Sequence, residues 1–590
     1  MVKYKLDKWD LSEIAKDPKS PSFQKQIEEL EASAKKFEKI KKIILPNISS
    51  KKFMSILNEL EDISEKMSKV GGYASLSYSA NTQSDEATSL MTKMSKLGSE
   101  ISNKILFFDL WWKTQIDEKN AKRLIKESGE LSEYLGHKRL VAKYSLSEPE
   151  EKIINTLDVT GISALVKLYD KITNAYEYKM KIGNKTKKMT REELTNYIRS
   201  TNSKIRETAY KTILTKYFEN KGVIGEIYQN IVLNWRDEGI EIRGYNSPIS
   251  MRNIGNDVDD KTIESLLFTC KKNSPVFQKF FLQKAKMLKM KKLRRYDLYA
   301  PAAANIKEKN YPYDKSVRLV FESLGRFSPK LRDFAKKVFE QKHVDSSIRA
   351  GKRDGAFCST LTPKITPYVL INFTGKSRDV FTLAHELGHA VHSQAAQDRS
   401  ILVQDAPLPL AETASTFSEL LLYDNLSDKI SDNEKKVMLS EKIDDLYATI
   451  MRQSFFTIFE VDAHEQIGKG TTVDEISKTY LQNLKEQFGN SVSMTDDFAI
   501  EWSCIPHFYH TPFYCYAYAF GNLLALSLFQ RYKKEGNDFV PAYINILAAG
   551  GSKKPEKLLS EHGLDIRSSK FWQEGFDYIE NQVKALSSLN

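Results

Sequence analysis

The chain has 590 residues, of which 41% are hydrophobic and 28% are charged, and its formal net charge is +12. This length exceeds the usual size of a single core and the composition is that of a globular protein, so a small single domain and a disordered chain are excluded. No run of about 18 apolar residues occurs, which excludes a membrane-spanning helix. The charged residues 1–10 lack the apolar segment of a signal peptide, and we expect a cytoplasmic protein with no membrane partner.

Residues 20–235 are predicted to be helical, because apolar residues recur at three- and four-residue spacing. Phe23, Ile27, Leu30 and Ala34 form one such stripe. The interruptions are short and lie at residues 46–50, at Pro149 and in a turn at residues 183–184. A polar turn over residues 246–256 separates this region from the next helical stretch.

The densest basic run spans residues 284–295 and has Met287, Leu288, Met290 and Leu293 among its charges. This mixture predicts one helix with a solvated basic face and a buried apolar face, with an acidic ligand or membrane surface as the alternative. A positive net charge also occurs in nucleic-acid-binding proteins. Here the basic residues are spread among 77 acidic ones, so we expect no nucleic-acid partner.

Residues 354–375 interrupt the helical pattern. Two segments, 355–361 and 368–374, are β-branched or aromatic and are bounded by prolines and Gly375. They predict two adjacent strands of a small sheet. Because the helical pattern then resumes almost to the C-terminus, we expect a mainly α protein with this sheet beside its densest polar cluster.

Residues 385–389 read His-Glu-Leu-Gly-His. On a helix, residues four apart share a face, so His385 and His389 can converge on one cation, and Glu386 can reach a water beside it. Imidazoles suit zinc, and a hydrolytic zinc site needs three protein ligands and one open position. The alternative is a surface helix that carries these residues by chance.

The helix that carries this motif is predicted to begin near Ser377 and Asp379, where N-caps are expected. Gly388 lies in its middle and lowers intrinsic helix stability by roughly 1 kcal/mol relative to alanine. Its presence is explained only if another part of the chain approaches the backbone closely there.

A third ligand is expected from residues 409–421, which are predicted to form one helix. Glu412, Ser415 and Glu419 are three and seven residues apart and share its polar face. A carboxylate on a packed apolar helix needs a partner, and Glu412 as a ligand would supply one. Ser415 and Glu419 would then orient the ligands; the alternative is a solvated polar stripe.

The last cluster lies at residues 505–522, where Thr511 and Pro512 are predicted as the N-cap and first residue of a helix. Tyr514 and Tyr518 would share one face of it, and His507 would precede it in a loop. An imidazole and phenolic hydroxyls can stabilise the oxyanion of a tetrahedral intermediate. An aromatic core stripe is the alternative.

Five segments together resemble oligoendopeptidase F, of the thimet oligopeptidase family of zinc metallopeptidases. They are residues 351–358, 367–375, 379–392, 411–419 and 505–521. The resemblance covers nearly the whole chain and implies a mainly α fold with two helical lobes around a deep substrate channel. It also implies a small β-sheet next to the zinc-binding helix, and a division into an N-terminal helical region, 1–195, and a catalytic domain, 196–590. Within the former, residues 110–185 would match the family's N-terminal domain.

The resemblance carries the metal ligands over to His385, His389 and Glu412, binding one zinc ion per chain, and the catalytic glutamate to Glu386. His507 matches the family's histidine near the substrate carbonyl. Tyr514 is the first choice for the tyrosine there and Tyr518 the second. Three residues are also predicted to contact the substrate: Tyr518, Asn372 and Gly355.

These residues predict a zinc-dependent oligoendopeptidase that hydrolyses internal bonds of short peptides, with Glu386 as general base. The strand at 368–374 is expected to offer a backbone edge to an extended peptide. A zinc carboxypeptidase acting on peptide ends is the nearest alternative, followed by a peptide-binding protein without catalysis. The four cysteines, Cys270, Cys358, Cys504 and Cys515, show no paired spacing and predict a reducing compartment. The oligomeric state is left open.

Overall fold

Helices make up most of the computed structural model, which describes residues 3–182, 185–301 and 309–589. The first half of the chain contains α1 Pro21–Glu38, α2 Ser50–Ala80, α3 Asp85–Leu110, α4 Glu118–Glu127, α5 Ser132–Ala142, α6 Glu148–Thr160, α7 Ile162–Asn174, α8 Arg191–Ile198, α9 Ser203–Glu219, α10 Lys221–Arg236, α11 Pro248–Gly255, α12 Asp260–Lys272 and α13 Ser274–Met287. No helix in these ranges is both long and apolar enough to cross a bilayer.

The helical pattern continues through the second half of the chain. Its helices are α14 Tyr313–Phe327, α15 Pro329–Glu340, α16 Ser377–Ala395, α17 Leu408–Ala411, α18 Thr413–Ser427, α19 Asp432–Leu446, α20 Arg452–Gly468, α21 Val473–Phe488, α22 Pro506–His510, α23 Tyr516–Glu535, α24 Val540–Ala548, α25 Pro555–Ser560 and α26 Ser569–Ser588. The prediction of a mainly α fold is therefore confirmed. The two lobes and the deep channel stay a prediction.

The strands are short and form three small sheets. They are β1 Tyr178–Ile182, β2 Lys185–Met189, β3 Leu293–Arg294, β4 Val344–Asp345, β5 Phe357–Ser359, β6 Tyr368–Leu370 and β7 Val492–Ser493. β1 pairs with β2 in antiparallel fashion, β3 pairs with β7 in parallel, and β4, β6 and β5 form a three-stranded sheet in that order.

The predicted sheet near residue 360 is present and packs against α16. Its two predicted strands pair, with Phe357 opposite Leu370, but each is shorter than expected. The third strand, β4, was not predicted. The expectation of helices with only short breaks over residues 20–235 was wrong at residues 178–189, where β1 and β2 pair. The turn predicted at residues 183–184 lies outside the described residues.

The basic run at 284–295 is not one helix, because α13 ends at Met287 and Lys289 adopts a left-handed backbone with φ 54°. Lys284 is buried and pairs with Asp444 at 2.5 Å, and Arg295 is buried and pairs with Glu501 at 2.6 Å. These two charges therefore lie in the interior, whereas the amphipathic pattern had predicted a basic face in contact with solvent.

The chain divides into two compact units, each built from three separate stretches. The first unit comprises Met1–Lys143, Glu308–Asp428 and Leu528–Leu564, and the second comprises Tyr144–Lys307, Lys429–Ser527 and Asp565–Asn590. The first unit contains α16, α18 and the three-stranded sheet. The boundary predicted between residues 195 and 196 stays a prediction.

Candidate metal centre

The helix α16 carries the His-Glu-Leu-Gly-His segment. Asp379, in its first turn, accepts hydrogen bonds from the backbone N–H groups of Thr374 at 2.6 Å and Lys376 at 3.1 Å. Its carboxylate thus satisfies donors at the helix start, where it also complements the helix dipole. Ser377, predicted as an N-cap, is already inside the helix. The buried stripe of Val380, Leu383, Leu387 and Val391 anchors the helix in the first unit.

Gly388 lies where α16 crosses α18. A Cβ atom at this position would lie 2.6 Å from the carbonyl oxygen of Ala414 and from Cα of Ser415, and 2.8 Å from Oγ of Ser418. Only a glycine allows backbones to approach this closely, which explains its cost in the middle of a helix. The approach brings the residues at the start of α18 beside the two histidines.

Glu412 is at a break in the helix predicted for residues 409–421. That prediction was wrong, because the segment is divided into α17 and α18 with Glu412 between them. The Ser415 hydroxyl donates to Glu412 Oε2 at 2.7 Å and contacts the Glu412 carbonyl oxygen at 3.1 Å. The side chain of Glu412 is therefore fixed by the first turn of the helix that follows it.

Three potential ligand atoms form a small triangle. His385 Nε2 and His389 Nε2 are 3.2 Å apart, and Glu412 Oε2 lies 3.3 Å from the first and 3.5 Å from the second. Atoms placed tetrahedrally around zinc at about 2.0–2.1 Å lie about 3.3–3.4 Å apart. The triangle has the size that such an ion requires, so these residues could hold it. Within the described ranges this is the one group of three or more such residues with this proximity.

The charges around the triangle favour a cation. His385 Nδ1 lies 2.6 Å from Glu419 Oε1. Burial alone would lower the pKa of His385, but its hydrogen bonds with Glu412 and Glu419 outweigh this and raise the pKa to about 11. Burial opposes ionisation of Glu412, yet His385 and His389 hold its pKa near 2. Two carboxylates thus concentrate negative charge at one point.

Glu386 lies on α16 beside the triangle and is buried. Burial raises the pKa of its carboxyl to about 7, and the backbone of Cys358 in β5 hydrogen bonds to it. It lines a cavity of about 440 Å³ together with His385, His389 and Glu412. The remaining lining residues are Ala356, Phe357, Cys358, Thr360, His392, Ser393, Gln404, Asp405, Ala406 and Ala411.

The sheet edge at this cavity is β5. The strand at 368–374 was predicted to offer its edge to a peptide, but β6 is paired on both sides, with β4 and with β5. That prediction was wrong, because β4 was not recognised. β5 is an outer strand of this sheet, and Phe357 and Cys358 line the cavity.

Asn372 and Gly355, predicted as substrate contacts, are joined to each other. The Asn372 amide donates to the carbonyl oxygens of Arg353 at 3.0 Å and Gly355 at 2.9 Å. Gly355 is exposed and has φ 78°, a conformation that favours glycine. Both residues therefore shape the turn before β5, and their contact with substrate stays a prediction.

His507, Tyr514 and Tyr518 lie together in the second unit. Tyr518 Oη is 3.4 Å from His507 Nε2, and the two tyrosine rings are 5.3 Å apart in an edge-to-face arrangement. Burial lowers the pKa of His507. His507 is in α22 rather than a loop, and the helix predicted from Pro512 begins only at Tyr516. Phe513, with φ 57°, interrupts it.

Sequence reasoning did not find Asp405 or Cys358, which also line the cavity. Asp405 follows no periodic pattern, since it lies in the connection between α16 and α17. The signal that could have found it is its position between two segments that each carry a predicted ligand, because such connections run past the site.

Comparison with known proteins decides the family. A sequence model of peptidase family M3 matches residues 196–578, and a second, described as oligopeptidase F, matches residues 114–178. The chain belongs to peptidase family M3. It is therefore a peptidase. An oligoendopeptidase F homolog of Borreliella burgdorferi is 30% identical over 578 residues, covering 95% of this chain and 94% of that one.

Other relatives and solved structures are also similar to this chain over most of its length. Oligopeptidase PepF of Bacillus subtilis is 26% identical over 593 residues, covering 95% of this chain and 85% of that one. A crystal structure from Chlamydophila abortus has a TM-score of 0.89 and 25% identity and covers 99% of this chain and 98% of that one. Oligoendopeptidase-F from Enterococcus faecium, at 19% identity and a TM-score of 0.69, covers 96% of this chain and 98% of that one and shares the fold.

Proposed function

We propose that this M3 peptidase is a zinc-dependent oligoendopeptidase that hydrolyses internal peptide bonds of short peptides. The observation that carries the proposal is the triangle of His385 Nε2, His389 Nε2 and Glu412 Oε2, whose sides of 3.2–3.5 Å suit a tetrahedral cation. Two imidazoles and one carboxylate are a ligand set that zinc accepts. The restriction to short peptides rests on the channel that the family resemblance implies.

His385, His389 and Glu412 would hold the ion, and Ser415 and Glu419 would orient two of these ligands. When bound, zinc would supply a Lewis acid that polarises the scissile carbonyl and makes the attacking water more acidic. Glu386 lines the same cavity. Its carboxylate accepts the proton of the attacking water and delivers it to the departing amine.

His507 and Tyr514 are proposed to donate hydrogen bonds to the oxyanion of the tetrahedral intermediate. The hydroxyl of Tyr518 contacts His507 Nε2, so Tyr518 is assigned to hold the imidazole in place. Tyr514 is then the tyrosine that donates to the substrate. Tyr514→Phe would lower kcat by about a hundredfold or more with KM little changed, and Tyr518→Phe would have the smaller effect.

The outer edge of β5 is proposed to pair with the backbone of an extended peptide. Its residues Phe357 and Cys358 line the cavity beside Glu386. Main-chain hydrogen bonds to a sheet edge hold a peptide whatever its side chains are. This gives broad recognition and places the scissile bond beside the general base.

The test combines metal content with turnover. Purified wild-type protein is expected to bind one zinc ion per chain and to cleave an internally quenched peptide. Glu386→Gln should keep the ion and lose turnover by roughly 10²- to 10⁴-fold, whereas His389→Ala should lose both. Full activity of Glu386→Gln with zinc bound would remove Glu386 from its proposed role.

A second experiment separates cleavage of internal bonds from removal of terminal residues. The same peptide, acetylated at its amino end and amidated at its carboxyl end, has no free terminus. An endopeptidase still cleaves it, and mass spectrometry identifies the internal bond. Cleavage of the free peptide alone, with release of C-terminal residues, would favour a zinc carboxypeptidase instead.

A further inference from the structure

Asp405 lines the cavity that contains the candidate metal ligands and Glu386. It lies in the connection between α16 and α17, and the backbone of this connection is fixed. The Gly551 N–H donates to the Val403 carbonyl oxygen at 2.8 Å. A Cβ on Gly551 would lie 2.6 Å from the Asp405 carbonyl oxygen, and one on Gly550 would lie 2.5 Å from that of Gln404. Asp405 is therefore held at a defined place in the cavity wall.

In the described part of the chain, the carboxylate of Asp405 has no partner. Among residues 3–182, 185–301 and 309–589, no donor hydrogen bonds to it and no basic group pairs with it. The described residues that line the cavity include no lysine or arginine. Asp405 is exposed as a residue, but the protein atoms packed around its carboxyl still raise the pKa of that group.

Asp405 and the general base Glu386 both lie near the thiol of Cys358. Burial raises the pKa of Cys358, and the charges of Glu386 and Asp405 raise it further. Both carboxylates therefore act on one point of β5. A peptide lying along β5 would place side chains near Asp405 while its scissile bond is near Glu386.

An unpaired carboxylate in a cavity discriminates between ligands by charge. A ligand with a positive charge is attracted to it, whereas a ligand with a negative charge is repelled. We propose that Asp405 forms a subsite that selects peptides with a positively charged group close to the scissile bond. The proposal rests on the proposed peptidase function and deepens it. The positive group is either a lysine or arginine side chain or the amino terminus of a short peptide.

The test uses matched quenched peptides that are blocked at both ends. Lysine, glutamine or glutamate is placed in turn at each of the three positions on either side of the scissile bond, and kcat/KM is measured. Wild type is expected to prefer lysine over glutamine at one position, and Asp405→Asn to reduce that preference about tenfold or more. Asp405→Lys should reverse it in favour of glutamate. One further peptide, with a free amino end and no lysine, shows whether an amino terminus takes the same place.

A matched control removes the same charge outside the cavity. Asp398→Asn lies in the same connection, is exposed and does not line the cavity, so the preference of wild type should be retained. A preference that persists in Asp405→Asn and Asp405→Lys would overturn the inference, as would cleavage by wild type without preference for a positive group. If wild type cleaves no peptide at all, the proposed function fails together with this inference.

Discussion

At the scale of single residues, Glu419 decides which nitrogen of His385 faces the cavity. Its Oε1 lies 2.6 Å from His385 Nδ1. An ionised carboxylate accepts a hydrogen bond from Nδ1–H, so Nε2, which faces His389 and Glu412, is the nitrogen that would bind a cation after it loses its own proton. The contact therefore fixes the orientation of the His385 ring before a cation binds.

We expect Glu419→Gln to weaken metal binding about 10- to 100-fold, because the amide no longer attracts the Nδ1 proton as a carboxylate does. Competition with a chromogenic chelator measures the dissociation constant. Asp424→Asn is the control on the same helix, since Asp424 pairs with Lys533 at 3.0 Å and is outside the triangle. Equal affinities of Glu419→Gln and wild type would contradict this prediction.

Which site residues the sequence could predict depends on their separation along the chain. His385, Glu386 and His389 are within five residues of one another, so helix geometry alone places them side by side. Glu412 was predicted from the cost of an unpartnered carboxylate, and the structure brings it next to both histidines. Their binding of metal stays a prediction. Asp405 was not predicted, and its exact place in the cavity wall depends on the distant contact with residues 550–551.

At the scale of elements, the crossing of α16 and α18 depends on Gly388. Gly388→Ala should destabilise the protein by about 1–3 kcal/mol, because the new Cβ would meet backbone atoms of α18 that cannot move away. It should also weaken metal binding, since Glu412 directly precedes α18. Urea unfolding and metal titration measure the two effects.

The control for this change is Gly71→Ala, inside α2, where a Cβ would meet nothing within 4 Å. Alanine favours helix over glycine, so this variant should gain up to about 1 kcal/mol. If Gly388→Ala were as stable as Gly71→Ala, the close approach would not limit the residue at position 388.

A buried carboxylate holds the segment that precedes α23. Glu460 Oε1 accepts the Phe513 N–H at 2.8 Å, and burial raises the pKa of Glu460 to about 8, although the charge of Arg252 opposes this. Tyr228 and Cys515 also lie in its electrostatic field. This long-range contact explains why the start of α23 was predicted wrongly: the left-handed backbone of Phe513 is fixed by α20 and not by local sequence.

Stability should therefore depend on pH through Glu460. Its carboxyl titrates near pH 4.3 in an unfolded chain and near 8 in the folded one. Between these values the folded state binds a proton that the unfolded state has lost, so this group's contribution to stability falls as the pH rises. The glutamine of Glu460→Gln can still accept the N–H hydrogen bond but does not titrate. The free energy of unfolding of this variant, relative to that of wild type, should therefore increase as the pH rises from 6 to 9.

Urea unfolding of both proteins at the two pH values measures this difference. Glu465→Gln, on the exposed side of the same helix, should leave the pH dependence of wild type in place. Parallel pH profiles for Glu460→Gln and wild type would show that Glu460 is not the titrating group.

At the scale of the whole molecule, the predicted α class followed from long periodic segments, but the strands were mostly missed. In β1 the buried Tyr178 and Met180 alternate with exposed lysines, whereas β2 has four exposed residues before Met189. β1 therefore alternates with period two, whereas β2 has no apolar face and gives no such signal. β4 and β7 have two residues each, too few for any pattern. The two compact units each combine distant stretches, which chain order does not reveal.

Removal of the metal should lower stability mainly in the first unit, because all three candidate ligands belong to it. At a free zinc concentration of about 1,000 times the dissociation constant, binding adds about 4 kcal/mol to the free energy of unfolding. Hydrogen exchange measured by mass spectrometry should therefore show faster exchange in α16 and α18 after chelation. Exchange in α20 and α21 of the second unit should change little, and His389→Ala should not respond to chelator.

The shortness of β5 limits how far a bound peptide can be held. The strand has three residues, Phe357–Ser359, and at about 3.3 Å per residue it spans about 10 Å. A peptide paired with this edge is aligned over about three of its own residues, and beyond that length it receives no ladder hydrogen bonds from β5. β5 therefore constrains only the residues next to the scissile bond, and residues farther along the peptide are free to vary. A peptide with several similar bonds would be cut at more than one of them.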